Sequence, residues 1–130
     1  MRLALAATLS LSLAGIASAM EPVESENLNT GNIAVTLHLY PFLNDEEQAI
    51  LRQIGSHEDA MRTFLGDTDG FAAIAASPQE GFFRNGMPVA SAVALSQLPD
   101  AETARRNAVA ACDEAAGTGC VVVLEAAPDS

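Results

Sequence analysis

Two cysteines, Cys112 and Cys120, lie in the stretch VAACDEAAGTGCVVV with seven residues between them. A chain that reverses at AAGTG can bring their Cα atoms within the ~4.4–6.8 Å that a disulfide requires. Redox chemistry is better served by a C-x-x-C pair at a helix start, where the thiolate is stabilised, and this spacing at a helix end supplies neither feature. A metal site asks for further ligands, and the chain has only two histidines, His38 and His57. The spacing predicts a disulfide that staples a helix to a strand, with redox and metal roles as the weaker alternatives.

His57, Glu58 and Asp59 are the second group with chemical potential. They would bind a divalent metal or exchange protons only if His38 came to meet them, because consecutive side chains on a helix point in different directions. The pattern predicts a solvated helix start. GDTDGFAAI places Asp67, Asp69 and Ile74 at the first, third and eighth positions of a calcium loop, but Phe71, Ala72 and Pro78 stand where a ligand, a glycine and a bidentate glutamate belong. It reads as the turn leading into a strand. There is no G-x-S-x-G elbow, and Ser56 beside His57 is too short a link to orient a triad. No catalytic residue, metal ligand or cofactor is therefore expected. GFFRNGMPV is the better candidate for contact with a partner. Adjacent Phe82 and Phe83 cannot share one strand face, so one is either tucked under its own hairpin, the commoner arrangement, or set at the surface, and Asn85-Gly86 is a type I′ turn signal. Aromatic and arginine side chains are favoured interface anchors, so Phe82, Phe83 and Arg84 form a candidate interaction loop.

Residues 1–19, MRLALAATLSLSLAGIASA, join one arginine, an apolar run and a small A-S-A ending, the pattern of a secretory signal peptide cleaved after Ala19. The run is shorter than the ~17–25 residues of a membrane-spanning helix, and position 20 is Met, where a lipid-anchored protein would need Cys. The mature chain is expected to lack a membrane span, to reside in a periplasm or be secreted, and to meet conditions that oxidise thiols. A retained N-terminal anchor is the alternative. The formal charge is −11, and removing Arg2 makes it −12 with no lysine anywhere. Phosphate binding requires cations to displace counterions, so nucleic acid is excluded as a partner, and the acidic surface is read as a solubility device.

The elements follow from periodicity. Residues 20–31, MEPVESENLNTG, read as a flexible acidic leader. NIAVTLHLY alternates in a strand pattern, with His38 opposite Leu37 and Leu39. Asn44 and Glu47 form a capping box for a helix that Gly55 can close, and Ser56 starts a second short helix that stops at Gly66. A strand from Phe71 ends in the turn Ser77–Gly81, and a third strand covers Val89–Ser96 with Val89, Val93 and Leu95 on one face. Asp100 caps a helix with small residues at Ala101, Ala104, Ala108, Ala111 and Cys112. Gly117 and Gly119 break it, CVVVLEA is the last strand, and 127–130 is a frayed tail. The expected fold is α+β over 32–126. It is a four-stranded antiparallel sheet in the ferredoxin-like β-α-β-β-α-β order, with helices on one face and one disulfide.

FAAIAASPQEG, a following strand and DAETARRNAVAACDEAAGTGCVVV resemble small exported bacterial proteins of a domain family without assigned function. The resemblance covers Phe71 to Glu125. A strand ends in an S-P-x-x-G turn, a second strand leads into an Ala-rich helix through Ala104, Ala108 and Cys112, and Gly119, Cys120, Val122 and Val123 match a G-x-C-x-V-V strand. The chain departs by lacking the tryptophan and tyrosines common on those strands and by inserting FFRNGMP. The resemblance implies export and a disulfide, and no known activity. Similar short alphaproteobacterial chains are labelled 5-aminolevulinate synthase. That enzyme holds pyridoxal phosphate on a lysine, which this chain does not have. The expected function is a non-catalytic binding or accessory module that meets a protein or small ligand outside the cytoplasm. The alternatives are a small hydrolase or metal-dependent enzyme using His57, and an inhibitor or immunity-like protein.

Overall fold

The structure, a computed structural model, describes residues 24–66, 69–117 and 119–128. The signal segment, the first four leader residues, Asp67 of the DTDG turn and the last two residues of the tail lie outside them.

Much of the expected leader is a strand. β1 (Glu24–Thr30) pairs antiparallel with β2 (Ile33–Leu39), from Glu24 opposite Leu39 to Thr30 opposite Ile33. Composition suggested too little apolar material to order it, but three contacts with α1 (Asp45–Ser56) supply what β1 lacks. Glu26 makes a bidentate pair with Arg52 (2.7–3.1 Å), and the Thr30 hydroxyl donates to Gly55 O at 2.5 Å. Leu28 approaches Gly55 so closely that a Cβ there would sit 3.0 Å from its Cδ1. Gly55 therefore does not close the helix as expected. It lies inside α1, where its bare Cα admits the β1–β2 pair.

The capping box is present: Asn44 Oδ1 accepts from Glu47 N (2.8 Å) and Glu47 Oε1 accepts from Asn44 N (2.9 Å). α2 (Glu58–Leu65) follows after His57 and closes at Gly66. β3 (Phe71–Ala76) comes next, and Gly81 N then donates back to Ser77 O at 2.7 Å in the SPQEG turn. Phe83–Arg84 (β4) and Met87–Pro88 (β5) make a small hairpin around Asn85-Gly86, both at positive φ as a type I′ turn demands. The third expected strand is displaced. Val89 N donates to Phe82 O and Ala92 N to Val89 O, so Val89–Ala92 closes the hairpin and turns, and β6 is Val93–Leu98. α3 (Ala101–Ala116) is capped by Asp100 Oδ1 accepting from Thr103 N, and β7 (Val121–Pro128) absorbs two residues of the expected tail.

The main sheet has five strands in the order β1-β2-β7-β3-β6, all antiparallel, so the four-stranded ferredoxin-like sheet gives way to a different one. β2 and β3 run parallel with β7 between them, and β6 and β7 run parallel with β3 between them. The split β-α-β units survive, with a different strand in each gap.

The helices also depart from expectation, because they cover both faces. Ala72, Ile74 and Ala76 of β3 face Leu51 and Ile54 of α1 and Met61 and Leu65 of α2. Ala73 and Ala75 face Ala104, Ala108 and Cys112 of α3. Two crossovers of the same hand would put their helices on one face in this strand order, so these two have opposite hands, against the usual right-handed preference. The physical cause is in FAAIAA, which is apolar at both parities and so requires cover on both sides. Among the described residues no helix is long and apolar enough to cross a membrane.

Candidate functional site

Glu47 has no solvent exposure, which is rare for a carboxylate without partners that satisfy it. Its partners are in place. One oxygen takes part in the capping box. The other, Oε2, accepts from Phe82 N (2.7 Å) and Phe83 N (2.9 Å) and lies 3.2 Å from Arg84 Nε. The first turn of α1 thus grips β4 and the residue before it, some thirty-five positions later in the chain. Gly81 is required by this grip: its φ is +85°, and a Cβ there would run into the Arg84 guanidinium.

This arrangement settles where the expected interaction loop lies. Phe82 (3 % exposed) and Phe83 (7 %) are both buried, their rings edge to face at 5.0 Å, and Phe64 of α2 packs on Phe83 at 5.7 Å. The exclusive-face argument holds only within a strand, and Phe82 lies in the bend before β4, so both rings can turn inward. Neither phenylalanine is left at the surface. Arg84 is half-exposed and engaged with Glu47. The exposed large apolar side chain is instead Met87, at 67 %.

The two rings do, however, form one wall of an open apolar cleft of about 500 Å³. Phe64 and Thr63 of α2 make the second wall, Gly86 and Pro88 the rim, and Ile74 with Ala92 and Ala94 the floor. The cleft lies where α2, the β4–β5 hairpin and β6 meet. Small residues at 92 and 94 leave it unfilled. Its volume and apolar lining suit a side chain or a small apolar ligand.

The other expected residues are distributed elsewhere. Cys112 and Cys120 form a disulfide with Cα atoms 6.0 Å apart, buried among Ala73, Ala75, Ala104 and Ala108. His57 sits at the α1–α2 junction with Nδ1 3.2 Å from Gln53 O, and Asp59 is 3.5 Å from Arg62. His38 lies on the other face of the sheet, where Nε2 donates to Glu125 Oε2 at 2.7 Å, and Arg105 of α3 reaches the second oxygen at 2.9 Å. The two histidines are not brought together. Among the described residues no group of three or more His, Cys, Asp or Glu side chains is placed to hold a metal ion.

The hydrogen bond from His38, assisted by Arg105, holds the Glu125 carboxyl below its ordinary 4.5 against the opposite push of burial. A carboxylate with a lowered folded-state pKa stabilises the fold above its unfolded value and loses that contribution as the pH falls through the folded one. Wild type should therefore exceed Glu125→Gln in urea midpoint at neutral pH, and the gap should narrow once the pH drops below 4.5. A gap that stays constant through that range would exclude this linkage.

All five arginines among the described residues face a carboxylate: Arg52 with Glu26, Arg62 with Asp59, Arg84 with Glu47, Arg105 with Glu125 and Arg106 with Glu102. In a chain of net charge −11, the cations are already engaged and the excess of carboxylates makes the field of the chain as a whole negative. Comparison of the chain with family models, with curated proteins and with solved structures finds no match.

Proposed function

We propose that the protein is an exported, non-catalytic binding module whose working surface is the apolar cleft between α2, the β4–β5 hairpin and β6. The observation that carries this reading is the cleft itself, open and unfilled, with its aromatic wall fixed by a buried carboxylate. Export is supported by the pattern of residues 1–19 and by the disulfide, which persists in oxidising compartments.

The test is photo-crosslinking from two surface positions in the extracytoplasmic compartment of a bacterial host. A photoreactive residue at Thr63, exposed and lining the cleft, should give a discrete adduct that disappears when Ala94→Trp fills the cleft. The same residue at Asn107, exposed on α3 across the sheet, should give none. Equal adducts from both positions, or an adduct indifferent to Ala94→Trp, would remove the cleft as the working surface. The exported chain should begin at Met20 by mass.

A further inference from the structure

The two edges of the main sheet are finished differently. β1 carries Glu24 and Glu26, charges of the kind that discourage another strand from pairing. β6, at the opposite edge, has no charged residue from Val93 to Leu98 and no proline. Its inner side pairs with β3 through Val93, Ala94 and Leu95, and among the described residues the backbone groups on its outer side have no strand to meet. The register is irregular beyond Leu95, where Gln97 takes a φ of 63°, so the regular edge is only about three residues long.

That short bare edge borders the cleft. Val93 and Ala94 help to line it, and Ala94 lies opposite Ile74, which forms part of the floor. In a sheet, residues directly opposite one another on adjacent strands point to the same face. A strand added beside β6 would therefore send the side chain facing Ala94 into the cleft, towards Phe64, Phe82 and Phe83. Carboxylates mark both ends of the edge. Glu80, which accepts from the Ser91 hydroxyl at 2.6 Å, precedes it, and Asp100 follows it.

We infer that the outer edge of β6 and the adjoining cleft together take a short extended segment of a basic partner protein, which joins the sheet as a sixth strand and seats an apolar side chain in the cleft. This rests on the cleft reading and names its occupant. Backbone pairing supplies the attachment, the cleft selects an apolar residue at one parity, and lysine or arginine on either side answers the carboxylates. A second copy of this chain fits less well, because both copies would bring the same excess of negative charge.

The probe is an N-acetylated, C-amidated hexapeptide alternating leucine and lysine, titrated into the full oxidised chain and followed by backbone amide NMR and hydrogen exchange. Binding should protect outward-facing amides within Val93–Leu95 and perturb Phe64, Phe82 and Phe83. N-methylation of alternate peptide amides should weaken binding about tenfold or more, since it removes backbone hydrogen bonds while keeping the side chains. Glutamate in place of lysine, or Ala94→Trp in the protein, should weaken it to a similar degree. Circular dichroism of Ala94→Trp establishes that the variant is folded. An N-methylated peptide that binds as well as its parent, with no protection at β6, would overturn strand addition and leave the cleft reading intact. So would a failure of the peptide to bind while the Thr63 crosslink still forms. Concentration-dependent protection of β6 without peptide would assign the edge to self-association and likewise overturn the inference. Loss of the Thr63 crosslink from wild type would count against the cleft itself.

Discussion

Glu47→Ala is expected to lower the stability of the domain by about 3–5 kcal/mol, because buried backbone donors left without their acceptor cost roughly 1–3 kcal/mol each. The consequence is severe because a domain of this size has a total of only about 5–15 kcal/mol. Three backbone donors, on Asn44, Phe82 and Phe83, converge on the carboxylate, and alanine would strand all three together with Arg84. Glu47→Gln should recover little, because an amide turns two further donors towards donors already in place. Arg84→Ala is the informative contrast. The carboxylate would keep its three N–H partners and lose a guanidinium that is half in solvent, so the cost should be roughly 1 kcal/mol. Urea unfolding of the three variants measures these differences. A Glu47→Ala loss no larger than that of Arg84→Ala would show that the carboxylate is not what holds the hairpin.

The same residue shows what can be read from a sequence and what cannot. Asn44 and Glu47 announce a helix start through their spacing alone, because capping is a matter of neighbours three residues apart. The second carboxylate oxygen is committed to Phe82 and Phe83, and no local pattern connects them to α1. The cysteines, the alternation of β2, the small face of α3 and the Asn85-Gly86 turn were legible for the same reason, each being a short-range feature. β1 was not. ESENLNT has strand geometry only because Arg52 meets Glu26 and Gly55 admits Leu28, both from a helix some twenty-five positions away. The placement of α3 opposite α1 and α2 was half-legible. FAAIAA gives notice that both faces of β3 need cover, but the handedness of each crossover is decided by tertiary packing.

The candidate site divides in the same way. Phe82, Phe83 and Arg84 were singled out for their types, and the structure does gather them beside the cleft. Their roles are different from those their types suggest. The rings are walls and the arginine is a clamp, while the proposed contact with a partner falls to Ala94 and the bare edge of β6. Alanines are silent in a search for chemistry. Here their small size leaves the space open.

Reduction of the Cys112–Cys120 bond carries the second large expected effect. Its closed loop is short, with a sequence separation of 8, and the chain-entropy relation gives about 2.5 kcal/mol for a loop of this length. For a domain near 100 residues this corresponds to a fall in Tm of roughly 10–20 °C. The effect should be concentrated, because α3 docks through Ala104, Ala108 and Cys112, and methyl groups bury too little area to hold a helix firmly. Cys120 N also donates to Asp113 Oδ1 at 2.9 Å, so the start of β7 is tied to the last turns of α3 by one covalent and one hydrogen-bonded link. In the Cys112→Ala/Cys120→Ala variant, amides of those last turns and of the first residues of β7 should exchange fastest. The cleft on the opposite face, held by Glu47, should keep its protection. Thermal scans with and without reductant, with amide exchange on the double variant, separate the two halves of this expectation. An unchanged Tm would make the bond incidental, and equal loosening of the hairpin would mean that the two faces of the sheet unfold as one unit.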